Sequence, residues 1–117
     1  MIHRSPLELL AAQLQSGDPY LEYVRVGSMS VGLYVLPAAG VDRQSPHGED
    51  EVYVVVAGQG RFTAGDETRD VAPGDTIFVP AHLAHRFHDI ASELRLIVVF
   101  APPEYSQRPP DGQPAHR

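Results

Sequence analysis

The feature that most constrains this chain is a change of period at residue 20. Before it, apolar residues recur at helical spacing. After it, short runs of β-branched and aromatic residues follow one another to residue 101, cut by glycine and proline. Such a succession can bury its apolar faces only as packed antiparallel strands. The densest run is residues 51–57, Glu-Val-Tyr-Val-Val-Val-Ala, which ends at Gly58 and Gly60. Further strands are expected at Tyr20–Val26, Met29–Leu36, Gly60–Ala64, Glu67–Val71, Thr76–Val79, Ala84–Ile90 and Leu94–Ala101. That makes about eight short strands with frequent turn signals, the pattern of a sandwich or barrel.

The leading segment, residues 1–18, holds one short helix. Ser5 caps it, Pro6 suits its first position and Glu8 completes a capping box; Gly17 followed by Asp18-Pro19 ends it. Leu7, Leu10, Ala11 and Leu14 form its expected apolar face. A helix this short is unstable alone, so it is expected to pack on the body of this subunit or on a partner. Residues 19–102 form the β domain, and residues 103–117, polar and proline-rich, read as a tail without a core of its own.

Composition prunes the chemistry. The chain of 117 residues is 43% hydrophobic, enough for a single domain with a real core. Its formal charge of −6 gives no electrostatic case for nucleic acid or an anionic membrane. No apolar run is long enough to span a bilayer, and the first residues lack a signal-peptide pattern, so a cytoplasmic protein is expected. Cysteine is absent, which removes disulfides, thiolate nucleophiles and thiolate metal ligands. All nine basic residues are arginine, which removes lysine-based Schiff-base chemistry.

Two pairs of residues carry the chemistry that remains. His47 and Glu51 are four apart, as are His85 and Asp89, and on a regular strand each pair shares a face. Two imidazoles and one carboxylate converging on a point make the facial triad of non-haem Fe(II) sites, and the same donors suit catalytic Zn²⁺. The strand at 51–57 is apolar on both faces, so its valine face, Val52, Val54 and Val56, needs a cover: the N-terminal helix or a second subunit.

Residues 40–58 resemble the first motif of the cupin family: glycine, a spacer, His-x-His, three residues, glutamate, six residues, glycine. Gly40, His47, Glu51 and Gly58 fit it. Residues 65–89 resemble the second: glycine, a spacer, proline-x-glycine, two residues, histidine, three residues, asparagine. Gly65, Pro80 and His85 fit, with His82 at the glycine and Asp89 at the asparagine. The resemblance covers residues 20–101. It implies an all-β, RmlC-like double-stranded β-helix, or jelly-roll barrel, preceded by one short α-helix. It further implies one divalent metal ion (Fe, Mn, Zn or Ni) held by His47, Glu51 and His85, and a homodimer. The departure is Ser45, which stands where the family has its first histidine. Either three protein ligands and water hold the metal, or Gln44 or His82 supplies a fourth, or the site is degenerate. Tyr53 and Phe87 share faces with proposed ligands and are expected to line the pocket, together with Tyr34, Phe100 and Asp89.

Three functions fit these residues. One is a metal-dependent enzyme of oxygenase or isomerase type acting on a small organic molecule. The second is a binding module for a sugar or organic acid. The third is a dimeric domain whose site has lost its chemistry. In the first two the partner is a small-molecule ligand in the barrel.

Overall fold

The computed structural model describes residues 1–106. One helix, α1 (Pro6–Ser16), precedes six strands: β1 (Tyr20–Arg25), β2 (Ser30–Leu36), β3 (Asp50–Ala64), β4 (Glu67–Val71), β5 (Thr76–Val79) and β6 (His85–Ala101). They form one antiparallel sheet in the order β1-β2-β6-β3-β4, with β5 also paired to β3. The fold is all-β with one short helix, as the period change predicts.

The strands expected at 51–57 and 60–64 are one continuous strand, and so are those expected at 84–90 and 94–101. β3 and β6 pair along almost their whole lengths, from Asp50↔Ala101 to Ala64↔His85. The glycines and the 91–93 stretch bend these strands without ending them. Register shifts fall at Val55/Ala57, Ala57/Gln59 and Gln59/Arg61. There Gly58 sits at φ 90, a conformation that a side chain resists, and a Cβ on it would meet the Glu93 carbonyl.

The bends let β3 and β6 serve both halves of the fold. The N-terminal half of β3 pairs with β5, and its C-terminal half with β4. The inward parity changes across each bend. On β3, Glu51, Tyr53 and Val55 point in, and beyond the shifts Phe62 does; on β6, His85 and Phe87 point in, and then Ile90, Leu94, Leu96, Val98 and Phe100. All the apolar members of this set join one core with Tyr20, Tyr34 and Leu36.

The helix ends are as expected. Ser5 is extended and accepts a hydrogen bond from the Glu8 amide, Pro6 opens the helix, and Gly17 closes it at φ 72. The buried face is not as expected. Leu9 and Gln13 are buried, whereas Leu7 and Leu14 are 79% and 69% exposed. Leu9 packs with Leu33 and Val35 on the outer face of the sheet, beside Ile97. Gln13, one turn on, donates to the Asp18 carbonyl and ties down the helix end. The helix thus covers one end of the outer face. Val56 lies in a groove beside Leu7, Leu9 and Leu10 of the helix and stays partly exposed, and Phe78 on β5 is exposed.

Among the described residues, no helix is long and apolar enough to cross a membrane. Most of the expected tail lies outside the described residues. Its first part departs from the expectation, because Pro103 and Glu104 are buried, Glu104 N–H donates to Ser30 Oγ and Arg25 donates to the Glu104 carbonyl.

Candidate metal centre

Three chain segments meet inside the barrel. Glu51 projects inward from the second residue of β3, and His85 from the first of β6. His47 lies ahead of β3, in the connection from β2. Its backbone is fixed there by the His82 amide, which donates to the His47 carbonyl at 2.6 Å. One ligand atom from each of His47, Glu51 and His85 lies within 4.8 Å of the other two. The residues are 3%, 2% and 8% exposed.

The distances within this trio are informative. His85 Nε2 and Glu51 Oε1 are 2.9 Å apart, a buried ion-pair contact in which neither atom makes an aligned hydrogen bond. Donors about 2.1 Å from one ion and at right angles to each other stand about 3.0 Å apart. The spacing, the burial and the sulfur-free N/O donor set all fit a divalent ion. His85 Nδ1 contacts the Leu83 carbonyl at 2.7 Å, which fixes the ring and turns Nε2 inward. Burial opposes a charged imidazole at His85, but Glu51 and the Leu83 carbonyl outweigh it and hold the pKa above the ordinary histidine value.

Aromatic rings wall the trio. Phe100 stands edge-on to His47 with centroids 5.0 Å apart, Tyr53 and Phe62 lie 6.0 and 5.9 Å from His85, and Phe87 packs on both Tyr53 and Phe62. Tyr53, Phe87 and Phe100 are all buried in the barrel interior beside the trio.

Beside the trio is a second buried polar group that sequence reasoning missed. Asp42, 7% exposed, accepts hydrogen bonds from Tyr34 Oη at 2.6 Å, from the Phe87 amide at 2.8 Å and from Gln44 Nε2. Gln44 Oε1 in turn accepts from the Tyr53 hydroxyl at 2.9 Å. Burial pushes the Asp42 carboxyl up, and the three donors pull it back only in part. Burial, with the Glu51 carboxylate alongside, pushes the Tyr53 phenol well above its ordinary value. Asp42 and Gln44 lie in an irregular connection, where neither period-2 nor period-3.6 patterning exists to flag them.

Other expected site residues stand elsewhere. Gln44 donates to Asp42 through its amide nitrogen and accepts from the Tyr53 hydroxyl through its amide oxygen. The His82 side chain is exposed, and the residue adopts φ 71, which explains why a glycine suits that position. Ser45 is half-buried in the connection before His47. Asp89 does not line the interior. It adopts φ 48 where the β6 register slips, and this extra residue turns its carboxylate outward to His88 Nδ1 at 2.8 Å. The four-residue parity with His85 fails because the register, regular from His85 to His88, slips at Asp89.

Comparison with known proteins agrees with this architecture. The sequence profile described as a cupin domain matches residues 32–100. An uncharacterized protein of Streptomyces coelicolor is 50% identical over 97 residues, covering 83% of this chain and 92% of that protein. The crystal structure of TT1209 from Thermus thermophilus superposes with a TM-score of 0.65 at 30% identity, over 72% of this chain and 82% of that one. The DMSP lyase DddQ from Ruegeria pomeroyi reaches a TM-score of 0.66 at 19% identity, over 85% of this chain and 56% of its own, a likeness of fold alone.

Proposed function

The chain belongs to the cupin family, and from that premise we propose that it is a small metal-binding cupin that takes a small organic molecule into its barrel and acts on it. His47, Glu51 and His85 are the ligands in this reading. The observation that carries it is the buried convergence of one ligand atom each from His47, Glu51 and His85 within 4.8 Å of one another. A divalent ion held there supplies Lewis acidity to a coordinated ligand atom. His85 is oriented by the Leu83 carbonyl. Phe62, Phe87 and Phe100 exclude bulk water, and Tyr53 brings a hydroxyl close to Glu51. With Ser45 at the family's histidine position, three protein donors leave coordination positions for water or substrate, in keeping with oxygenase or isomerase chemistry. The barrel also serves a lyase in the Ruegeria pomeroyi protein.

Binding without turnover is the second reading. It draws support from Ser45 and from the 2–8% exposure of the trio, which leaves little room for exchange with solvent.

Elemental analysis after reconstitution with Fe(II), Mn(II), Zn(II) or Ni(II) tests the metal reading. About one ion per chain is expected, lost in both His47→Ala and His85→Ala. Protein that takes up no ion refutes the reading. Stoichiometric binding by either variant removes that histidine from the ligand set.

A further inference from the structure

The Asp42 group lies next to the trio and touches it through one side chain, Tyr53. Its hydrogen bonds run in one direction. A carboxylate can only accept, and Asp42 receives three donors at once: a phenol, a backbone N–H and an amide NH₂. That fixes which end of the Gln44 amide faces Asp42. The NH₂ must point there, so Oε1 is turned toward Tyr53. A carbonyl oxygen is an acceptor only, so the Tyr53 proton goes to Gln44. The phenol has one proton to give, and Gln44 receives it. The side of the Tyr53 oxygen that approaches Glu51 therefore carries lone pairs.

On this basis, and resting on the metal reading above, we propose that Asp42, Gln44 and Tyr53 form a polarity relay. It holds the Tyr53 proton away from Glu51, so that the carboxylate stays available to the metal and the phenol oxygen acts in the site as an acceptor. Gln44 is thus a positioning residue. It stands beside Ser45, where the family has its first histidine, and contributes to the site through Tyr53 without touching the metal. The relay also gives the chemical class of what binds next to the trio. A lone pair favours a protic group, such as bound water or a substrate hydroxyl, over a second carboxylate.

Without Gln44, the Tyr53 proton has one strong acceptor left nearby, Glu51. A hydrogen bond to that carboxylate competes with metal coordination. Changes to such outer partners typically alter metal affinity about 10- to 100-fold.

The test is a cobalt(II) titration of the full chain, followed by the visible d–d bands. Gln44→Met is expected to weaken cobalt binding about tenfold and to shift the bands. In a Tyr53→Phe background, which has no phenol proton to redirect, the same substitution should change affinity less than about twofold. Asp42→Asn frees the Gln44 amide to turn and should show the same dependence on background, giving a second route should Gln44→Met fold poorly. A tenfold loss in both backgrounds overturns the relay and leaves Gln44 a structural residue. Unchanged affinity in Gln44→Met also overturns it, with the metal reading intact. Wild-type protein that binds no cobalt overturns the metal reading, and the relay with it.

Discussion

Two buried polar groups share one barrel and solve opposite problems. Around Asp42 every bond closes: three donors meet one carboxylate, and the chain continues through Gln44 to Tyr53. Glu51 and His85 meet as a buried ion pair at 2.9 Å without an aligned hydrogen bond. A folded chain rarely leaves buried polar atoms unmatched, because each costs about 1–3 kcal/mol. The first group is therefore closed by hydrogen bonds within the protein, and the second has the donor set and spacing that suit a bound ion. Satisfaction, more than burial or charge, separates architecture from site.

The largest expected effect comes from breaking the finished group. In chelator-treated protein at pH 8, Asp42→Ala should destabilise the fold by about 3 kcal/mol, because it strands the Tyr34 hydroxyl, the Phe87 amide and the Gln44 amide. Under the same conditions Glu51→Gln should cost less than Asp42→Ala, because it alters the contact with one partner, His85, where Asp42→Ala strands three donors. Denaturant melts of the two variants decide this. Equal losses would mean that the trio is part of the architecture.

A second, intermediate effect concerns pH. His85 has a folded pKa above its unfolded value of about 6.5. In chelated protein its contribution to stability is therefore complete below about pH 6.5 and is lost as pH rises through the folded value. Metal binding needs the neutral imidazole, so stabilisation by saturating zinc should grow over the same range. Melts between pH 6 and 8 should show opposite slopes for the two forms. Slopes of one sign would detach His85 from the metal.

The smallest effect sharpens the comparison at its edge. His82 holds His47 through its backbone while sitting at φ 71. Relief of that strain is worth about 1–2 kcal/mol, and the added freedom of a glycine in the unfolded chain costs about 0.5–1 kcal/mol. His82→Gly should therefore raise stability by about 0.5 kcal/mol and leave metal stoichiometry unchanged. A drop in stoichiometry would give the His82 side chain a place in the site.

Much of this is legible in the sequence, though not always through strand parity. The helix caps at Ser5, Pro6 and Gly17 are local chemistry, and local chemistry reads directly. The alternation that turns Glu51 and Tyr53 inward is local too. His47 is different: it precedes β3, so a cross-barrel bond from His82, and not strand parity, puts it beside Glu51. The helix face does not read correctly, because helical spacing marks two candidate stripes and only contact with Leu33 and Val35 selects Leu9. Asp89 defeats the parity rule because one left-handed residue reverses every later side chain on the strand. Asp42 leaves no signal, since its three partners come from β2, β6 and its own loop.

The long pairing of β3 with β6 has a consequence in time. It joins residues 49 apart at Glu51↔Phe100 and 21 apart at Ala64↔His85. Contacts so distant along the chain form late and slowly. The trio draws its members from both strands and from the connection before β3, so it does not exist until that ladder has closed. A bound metal should therefore leave the rate of folding nearly unchanged and slow the rate of unfolding, which makes the ion a lock on a finished barrel.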